Sequence, residues 1–207
     1  MSAECVVIAF HSGFGHTARQ AEAVGRGASS VVGVTAQCLD VSRLDDGLWA
    51  ALDRADAIVF GTPTYMGSQS AAFQSFAEAS SAVWAVQGWR DKLAAGFTNS
   101  AGINGDKLHT LSRLSILAAQ HVMTWINLGL LPGWLYTSGG SIDDLNRLGG
   151  FIGAMAQSPS DQPAELAPSS GDLRTAEYLG CRVAQASVRW RRGASEVAGF
   201  GSRPSVS

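Results

Sequence analysis

The sequence is poor in charged residues and has no long apolar run. Only 15% of its 207 residues are charged, the formal net charge is −2, and the isoelectric point is about 6.0. A chain without a basic field does not attract a phosphate backbone, so no nucleic-acid partner is expected. No apolar stretch approaches about 18 residues, so no membrane insertion is expected.

Cysteine is also scarce, and its placement bears on the compartment. Cys5, Cys38 and Cys181 are odd in number, form no Cys-x-x-Cys pair and lie in apolar runs, which predicts reduced, buried thiols. The first four residues carry no basic n-region. We therefore expect a cytoplasmic protein. His11 and His16 lie five residues apart without further candidate ligands nearby, so no metal site is expected.

Short β-favouring runs alternate with amphipathic stretches along the chain. Strands are predicted at 5–10, 31–39, 57–60, 93–97 and 123–131, and helices at 17–29, 44–52, 71–84, 107–120 and 172–190. This alternation predicts parallel pairing through right-handed crossovers. The expected fold is α/β, a doubly wound five-stranded parallel sheet of the flavodoxin-like order 2-1-3-4-5. We expect one domain over residues 1–190, with a long connection at 131–171, rich in Gly, Ser and Pro, and a flexible tail at 191–207.

The loop after the first predicted strand, residues 11–17 (the first loop), has the composition of a phosphate cradle. Its glycines allow close backbone approach, its hydroxyls can donate hydrogen bonds, and a helix N-terminus follows. It lacks the lysine of a Walker A loop. It fits the looser Gly-x-Gly-x-x-Ala pattern, with Asp40 about 20 residues on. A tight turn without a ligand remains the alternative.

Two further loops are expected at the same rim of the sheet, where ligands bind in this topology. The second loop, residues 61–68, offers the aromatic face of Tyr65 and the thioether of Met66. The third loop, residues 99–105, is built of small residues that leave backbone amides accessible. Each alone is equally typical of an ordinary surface turn. Together they indicate a site for a flat polar heterocycle.

The runs at 11–17 and 60–67 resemble the flavodoxin-like NAD(P)H:quinone oxidoreductases of the WrbA type. The resemblance spans roughly residues 4–190 and weakens between 131 and 171. It implies FMN as cofactor, NADH or NADPH as reductant, a quinone or similar flat acceptor, ping-pong order, and a homodimer or homotetramer. The cofactor-binding residues that it implies are Ser12, Gly13, Phe14, Gly15, His16, Thr17, Pro63, Thr64, Tyr65, Met66, Gly67, Asn99, Ser100, Ala101, Gly102, Asn104 and Gly105.

The resemblance also implies roles around the substrate. His121 would be the catalytic histidine near the flavin, Phe14 would face the nicotinamide, and Trp84 would line the substrate opening, with all three contacting substrate. By itself, His121 is also typical of a packed core histidine, and Trp84 of a core or subunit contact. Arg147, in the long connection, could bind a cofactor phosphate or cap a turn.

The chain departs from the family pattern at several positions. Tyr65 stands where the family often has Arg, Ser68 where it has Asn, and residues 100–102 where it has Ser/Thr-Gly-Thr. Three other functions therefore remain open. They are an electron carrier or FMN-binding protein without its own turnover, a dinucleotide-binding domain without flavin, and a scaffold on the same fold.

Overall fold

The computed structural model describes residues 3–134 and 136–197. Within them, one sheet contains the strands β1 (Glu4–Phe10), β2 (Val34–Asp40), β3 (Ala57–Tyr65), β4 (Ser68–Gln69), β5 (Leu93–Ser100), β6 (Thr124–Trp125) and β7 (Ala154–Gln157). The helices are α1 (His16–Ser29), α2 (Asp46–Arg54), α3 (Ala71–Ala79), α4 (Ser81–Ala85), α5 (Lys107–Gln120) and α6 (Ser170–Val197).

The central path of the sheet is β2-β1-β3-β5-β6, and all pairs along it are parallel. The runs 6–9 and 57–60 are buried throughout, as strands covered on both faces require. One apolar cluster lies under α1 and α6, and the other lies under α2, α3 and α5. The predicted doubly wound α/β architecture is confirmed.

The five predicted strands follow the predicted order along the central path, but two further strands join the sheet and one edge differs from the prediction. Of the strand predicted at 123–131, only β6 pairs, with Leu93 and Ala94. The upper half of that edge is taken by β7, which pairs with Phe97 to Ser100. The approach of β7 depends on Gly153, where an added Cβ would lie 2.3 Å from the carbonyl oxygen of Gly96. The long connection therefore returns to complete the sheet, and the sheet has seven strands among the described residues.

The carboxyl ends of the central strands extend into the predicted second and third loops. β3 continues through Pro63 to Tyr65, and β5 continues to Ser100. Pairing of β1 with β3 stops at Gly61, so Pro63, which has no N–H to donate, pairs only with β5. Met66 and Gly67, with φ of 48° and 82°, form the two-residue turn into β4.

Several element boundaries differ from the prediction. The helix predicted at 71–84 is divided at Ser80, and α2 begins after Asp45, whose carboxylate accepts the N–H of Leu48 at 2.9 Å. α6 runs to Val197, so the predicted tail is helical at 191–197, and its remainder lies outside the described residues. The prediction of buried thiols is wrong, because Cys38 is exposed and Cys5 and Cys181 are only partly buried. No helix in 3–134 or 136–197 combines the length and apolarity needed to cross a membrane.

Candidate functional site

A cavity of about 720 Å³ opens at the carboxyl ends of β3 and β5, beside the start of α1. Its volume lies in the range of small-molecule sites. All three predicted loops contribute to its lining, and so does the long connection. The lining residues are Phe14, His16, Thr17, Pro63, Thr64, Tyr65, Met66, Asn99, Ser100, Ala101, Ser158, Ser160, Gln162 and Pro163.

The first loop leaves donors without protein acceptors. Gly15, with φ of 87°, is the N-cap of α1 and provides no side-chain cap, so the first N–H groups of the helix keep their capacity for a ligand. The hydroxyl oxygen of Ser12 is buried and has no hydrogen-bond partner among the described residues. Such a group is costly unless something binds it. The orphaned hydroxyl and the uncapped helix together fit an anionic group such as a phosphate.

An aromatic wall joins the first loop to the second. The hydroxyl of Tyr65 lies over Gly13, where an added Cβ would be 2.5 Å from it, so a larger residue at this position would displace the Tyr65 ring. The rings of Phe14 and Tyr65 meet edge to face, with centroids 6.3 Å apart. Burial raises the pKa of Tyr65, so this wall carries no charge at neutral pH.

The Thr64 hydroxyl is used inside the protein. It lies 2.8 Å from the hydroxyls of Thr98 and Thr110, and Thr98 donates to the carbonyl of Thr62 at 2.7 Å. All of these side chains are buried. The single proton of the Thr64 hydroxyl is therefore donated inside the protein, to Thr110.

The third loop contributes to the cavity only in part. Asn99, Ser100 and Ala101 line it, and the Asn99 amide oxygen accepts the Ser158 hydroxyl at 3.1 Å. Gly102 and Gly105 are absent from its lining, and Asn104 lines a separate cavity of about 290 Å³. In the other two loops, Ser12, Gly13, Gly15 and Gly67 do not line the cavity, and Gly15 and Gly67 provide positive φ angles.

The fourth wall, formed by residues 158–163, was not predicted from the sequence. α1 holds this segment in place, because the His16 ring Nε2 lies 2.9 Å from the carbonyl oxygen of Gln162. Arg19 donates to the carbonyls of Ala164 and Glu165 at 2.7 and 2.5 Å. The only signal in the sequence was the unusual length of the connection, which indicates function without naming a residue.

The structure does not bring His121 or Trp84 to this cavity. Both line a second cavity of about 390 Å³ between α3 and α5. His121 is 2% exposed, its Nε2 lies 2.9 Å from the Ser80 hydroxyl, and its ring centroid is 4.3 Å from that of Trp89. Burial lowers its pKa. Because α5 has 14 residues, His121 lies about 20 Å along the helix axis from the third loop.

No cluster of three or more His, Cys, Asp and Glu side chains that could hold a metal ion occurs in the part of the chain that the structure describes. The donors at the first cavity are instead backbone amides and hydroxyls, with an aromatic wall beside them. This donor set suits an organic phosphate with a planar ring.

Comparison with known proteins agrees with this geometry. The family model described as NADPH-dependent FMN reductase matches residues 46–130. The chain is 44% identical over 180 residues to flavodoxin FldP of Pseudomonas aeruginosa, covering 86% of this chain and 94% of that one. It is 29% identical to an NAD(P)H dehydrogenase (quinone) of Geotalea uraniireducens, covering 90% and 99%. A flavodoxin, WrbA-like protein from Agrobacterium tumefaciens superposes with a TM-score of 0.72 at 43% identity, covering 90% and 99%.

Proposed function

Because the chain belongs to the flavodoxin-like proteins of the WrbA type, we propose that it is an FMN-dependent oxidoreductase. It would transfer hydride from NADH or NADPH to quinones or similar flat two-electron acceptors. The observation that carries this proposal is the buried, unpartnered Ser12 hydroxyl beside the uncapped N-terminus of α1, in the loop whose Phe14, His16 and Thr17 line the cavity.

The residues of the cavity have separable roles in this proposal. Ser12, Thr17 and the N–H groups at the start of α1 would hold the phosphate. Pro63 to Met66 and Asn99 to Ala101 would hold the ring from two strand ends. Phe14 and Tyr65 would exclude water and give the nicotinamide or the quinone an aromatic surface. Bound FMN supplies the redox chemistry, which lets the two substrates use one place in ping-pong order.

Within one chain, His121 and Trp84 line the cavity of about 390 Å³ and not the proposed flavin cavity. In this proposal they can therefore act only at the flavin of a neighbouring chain. This requirement favours a homodimer or homotetramer. The cysteines among the described residues are all free thiols, which fits a cytoplasmic location.

A second candidate function is electron carriage without turnover. The relative named flavodoxin, at 44% identity, favours it. The net charge of −2 weighs against it, because such a weak charge provides little electrostatic steering toward a redox partner.

Steady-state kinetics distinguish the two functions. Protein loaded with FMN is mixed with NADPH or NADH and varied benzoquinone, and free FMN at equal concentration is the control. The enzyme hypothesis predicts turnover well above the control and parallel double-reciprocal lines. Retained FMN with no turnover above the control, for either nucleotide, would contradict the enzyme and favour the carrier.

A further inference from the structure

Buried charge is concentrated behind the third loop. Of the four charged side chains buried among the described residues, Glu4 lies at the opposite end of the sheet, and the other three lie together. These three, Lys107, Arg147 and Asp172, are called the buried charge cluster below. They come from the start of α5, the long connection and the start of α6.

The cluster has a net positive charge. Arg147 donates two hydrogen bonds of 2.7 Å to the Asp172 carboxylate, and the N–H of Gln157 donates to the same carboxylate at 2.9 Å. Arg147 is therefore not available to a nicotinamide cofactor. No carboxylate of the described residues lies within 4.0 Å of the Lys107 ammonium. The carboxylate in the cluster is thus neutralised by Arg147, and the charge of Lys107 is not.

The Lys107 ammonium is bound to carbonyl oxygens of the third loop. It donates to Gly102, and to Ile103 at 3.1 Å. The Gln157 side-chain amide donates to the carbonyl of Ala101 at 2.9 Å. Three consecutive carbonyls of the loop are therefore turned toward the protein and held there.

The N–H groups of the same loop are left without acceptors. Between residues 101 and 106, no backbone N–H donates a hydrogen bond to any described residue. A loop with its carbonyls bound on one side and its N–H groups free is a site for negative charge or for acceptor atoms. Its first residues line the cavity where the proposed function places the flavin ring.

Burying an ammonium without a carboxylate partner is expensive, and burial lowers the pKa of Lys107 to about 8. At neutral pH the side chain still carries its charge. Its Nζ is bound to the loop that borders the cavity, so a negative charge formed on a ring in that cavity would be stabilised across the loop.

We propose that Lys107 is a positioning residue that turns the amides of the third loop and a net positive charge toward the flavin ring, so that the site binds reduced FMN more tightly than oxidised FMN. This inference rests on the proposed function. Reduction adds negative charge to the ring, and a nearby cation favours the more negative state.

The test compares Lys107→Met with Lys92→Met as its matched control. Lys92 also donates to two backbone carbonyls, those of Asp53 and Ala55, both at 2.6 Å, but it lies at the amino end of β5, away from the cavity. Dissociation constants are measured by titration for oxidised FMN and, under anaerobic conditions, for dithionite-reduced FMN. The quantity compared is the ratio of the two constants.

For Lys107→Met we expect the preference for reduced FMN to fall about tenfold, which corresponds to a midpoint potential about 30 mV lower. Lys92→Met should leave the ratio unchanged. Lys107→Gln keeps a donor for the loop but no charge, so it should bind oxidised FMN nearly as wild type and still lose the preference. This neutral variant keeps the test decisive if Lys107→Met folds poorly.

The failure of this inference differs from the failure of the proposed function. Wild-type protein that binds FMN, with a ratio unaffected by either Lys107 variant, would overturn the inference alone. If the Lys107 variants bind oxidised and reduced FMN more weakly by the same factor, Lys107 only supports the structure, and the inference is overturned as well. Wild-type protein that binds neither form of FMN would overturn both.

Discussion

At the residue scale, Ser12 carries the argument for a phosphate site. We expect Ser12→Ala to weaken FMN binding about 10- to 100-fold, because a hydrogen bond to a charged group contributes about 1.5–3 kcal/mol. The stability of the protein without FMN should hardly change, since the Ser12 hydroxyl has no partner in the chain. Quenching of FMN fluorescence measures the dissociation constant, and urea unfolding measures the stability.

Ser75→Ala is the control for this substitution. Its hydroxyl is exposed on α3 and bonds only the carbonyl of Ala71 in the same helix. The variant should bind FMN as wild type does. An unchanged FMN affinity in Ser12→Ala would show that the unpartnered Ser12 hydroxyl does not bind the phosphate of FMN.

Lys107 makes a prediction about pH and stability. Its folded pKa of about 8 lies below the ordinary value of 10.5, so the unfolded chain holds a proton that the folded chain loses between pH 8 and 10.5. The destabilisation by this lysine is therefore fully present below pH 8 and is relieved as pH rises through that window. Relative to Lys107→Met, the wild type without FMN should gain about 2 kcal/mol between pH 7.5 and 9.5. A constant difference between the two proteins in urea unfolding would contradict the assignment.

At the element scale, α1 and α6 touch backbone to backbone. An added Cβ at Gly27 would lie 1.8 Å from the carbonyl oxygen of Glu177, and one at Gly180 would lie 1.9 Å from that of Val24. Gly27→Ala should therefore lower the free energy of unfolding by about 1–3 kcal/mol. Gly193→Ala, in α6 with open space around it, should be neutral or stabilise by up to about 1 kcal/mol. Equal urea midpoints for the two variants would contradict this packing.

The contact of α1 with the long connection makes a second prediction at this scale. Arg19→Met removes two hydrogen bonds that hold residues 164–165, so the wall of the cavity should loosen. We expect faster amide hydrogen exchange in residues 158–166 and FMN binding weakened about tenfold. Arg26→Met, on the same helix in an exposed ion pair with Glu177, is the control and should change neither measurement.

Unchanged exchange in residues 158–166 of Arg19→Met would show that the Arg19 hydrogen bonds do not hold the wall. Faster exchange in Arg19→Met together with an unchanged FMN affinity would show that Arg19 holds the wall but that the wall does not contribute to FMN binding.

The elements also show what the sequence could predict and what it could not. Local alternation of apolar runs and amphipathic helices was sufficient for the parallel core, and the glycines of the first loop located the start of α1. The pairing of β7 with β5 joins residues more than 50 apart, and no local pattern encodes it. The extension of β3 through Pro63 was missed because proline normally argues against a strand.

At the scale of the whole molecule, the position of the cavity at the rim of the sheet could be predicted from the sequence. The residues of its fourth wall, 158–163, could not. Loops after parallel strands share one edge by topology, so the meeting of Phe14, Tyr65 and Asn99 follows from strand order. His121 and Trp84 were associated with the same site by resemblance, yet one chain places them in a separate cavity. A resemblance carries residue types, whereas only the folded chain shows which cavity they line.

The most direct test of the central claim is the absorption spectrum of purified protein after addition of FMN and desalting. We expect a flavin spectrum at about one FMN per chain, bleached by NADPH or NADH under anaerobic conditions. A protein that emerges without flavin would contradict the assignment of the cavity, and with it the proposed oxidoreductase.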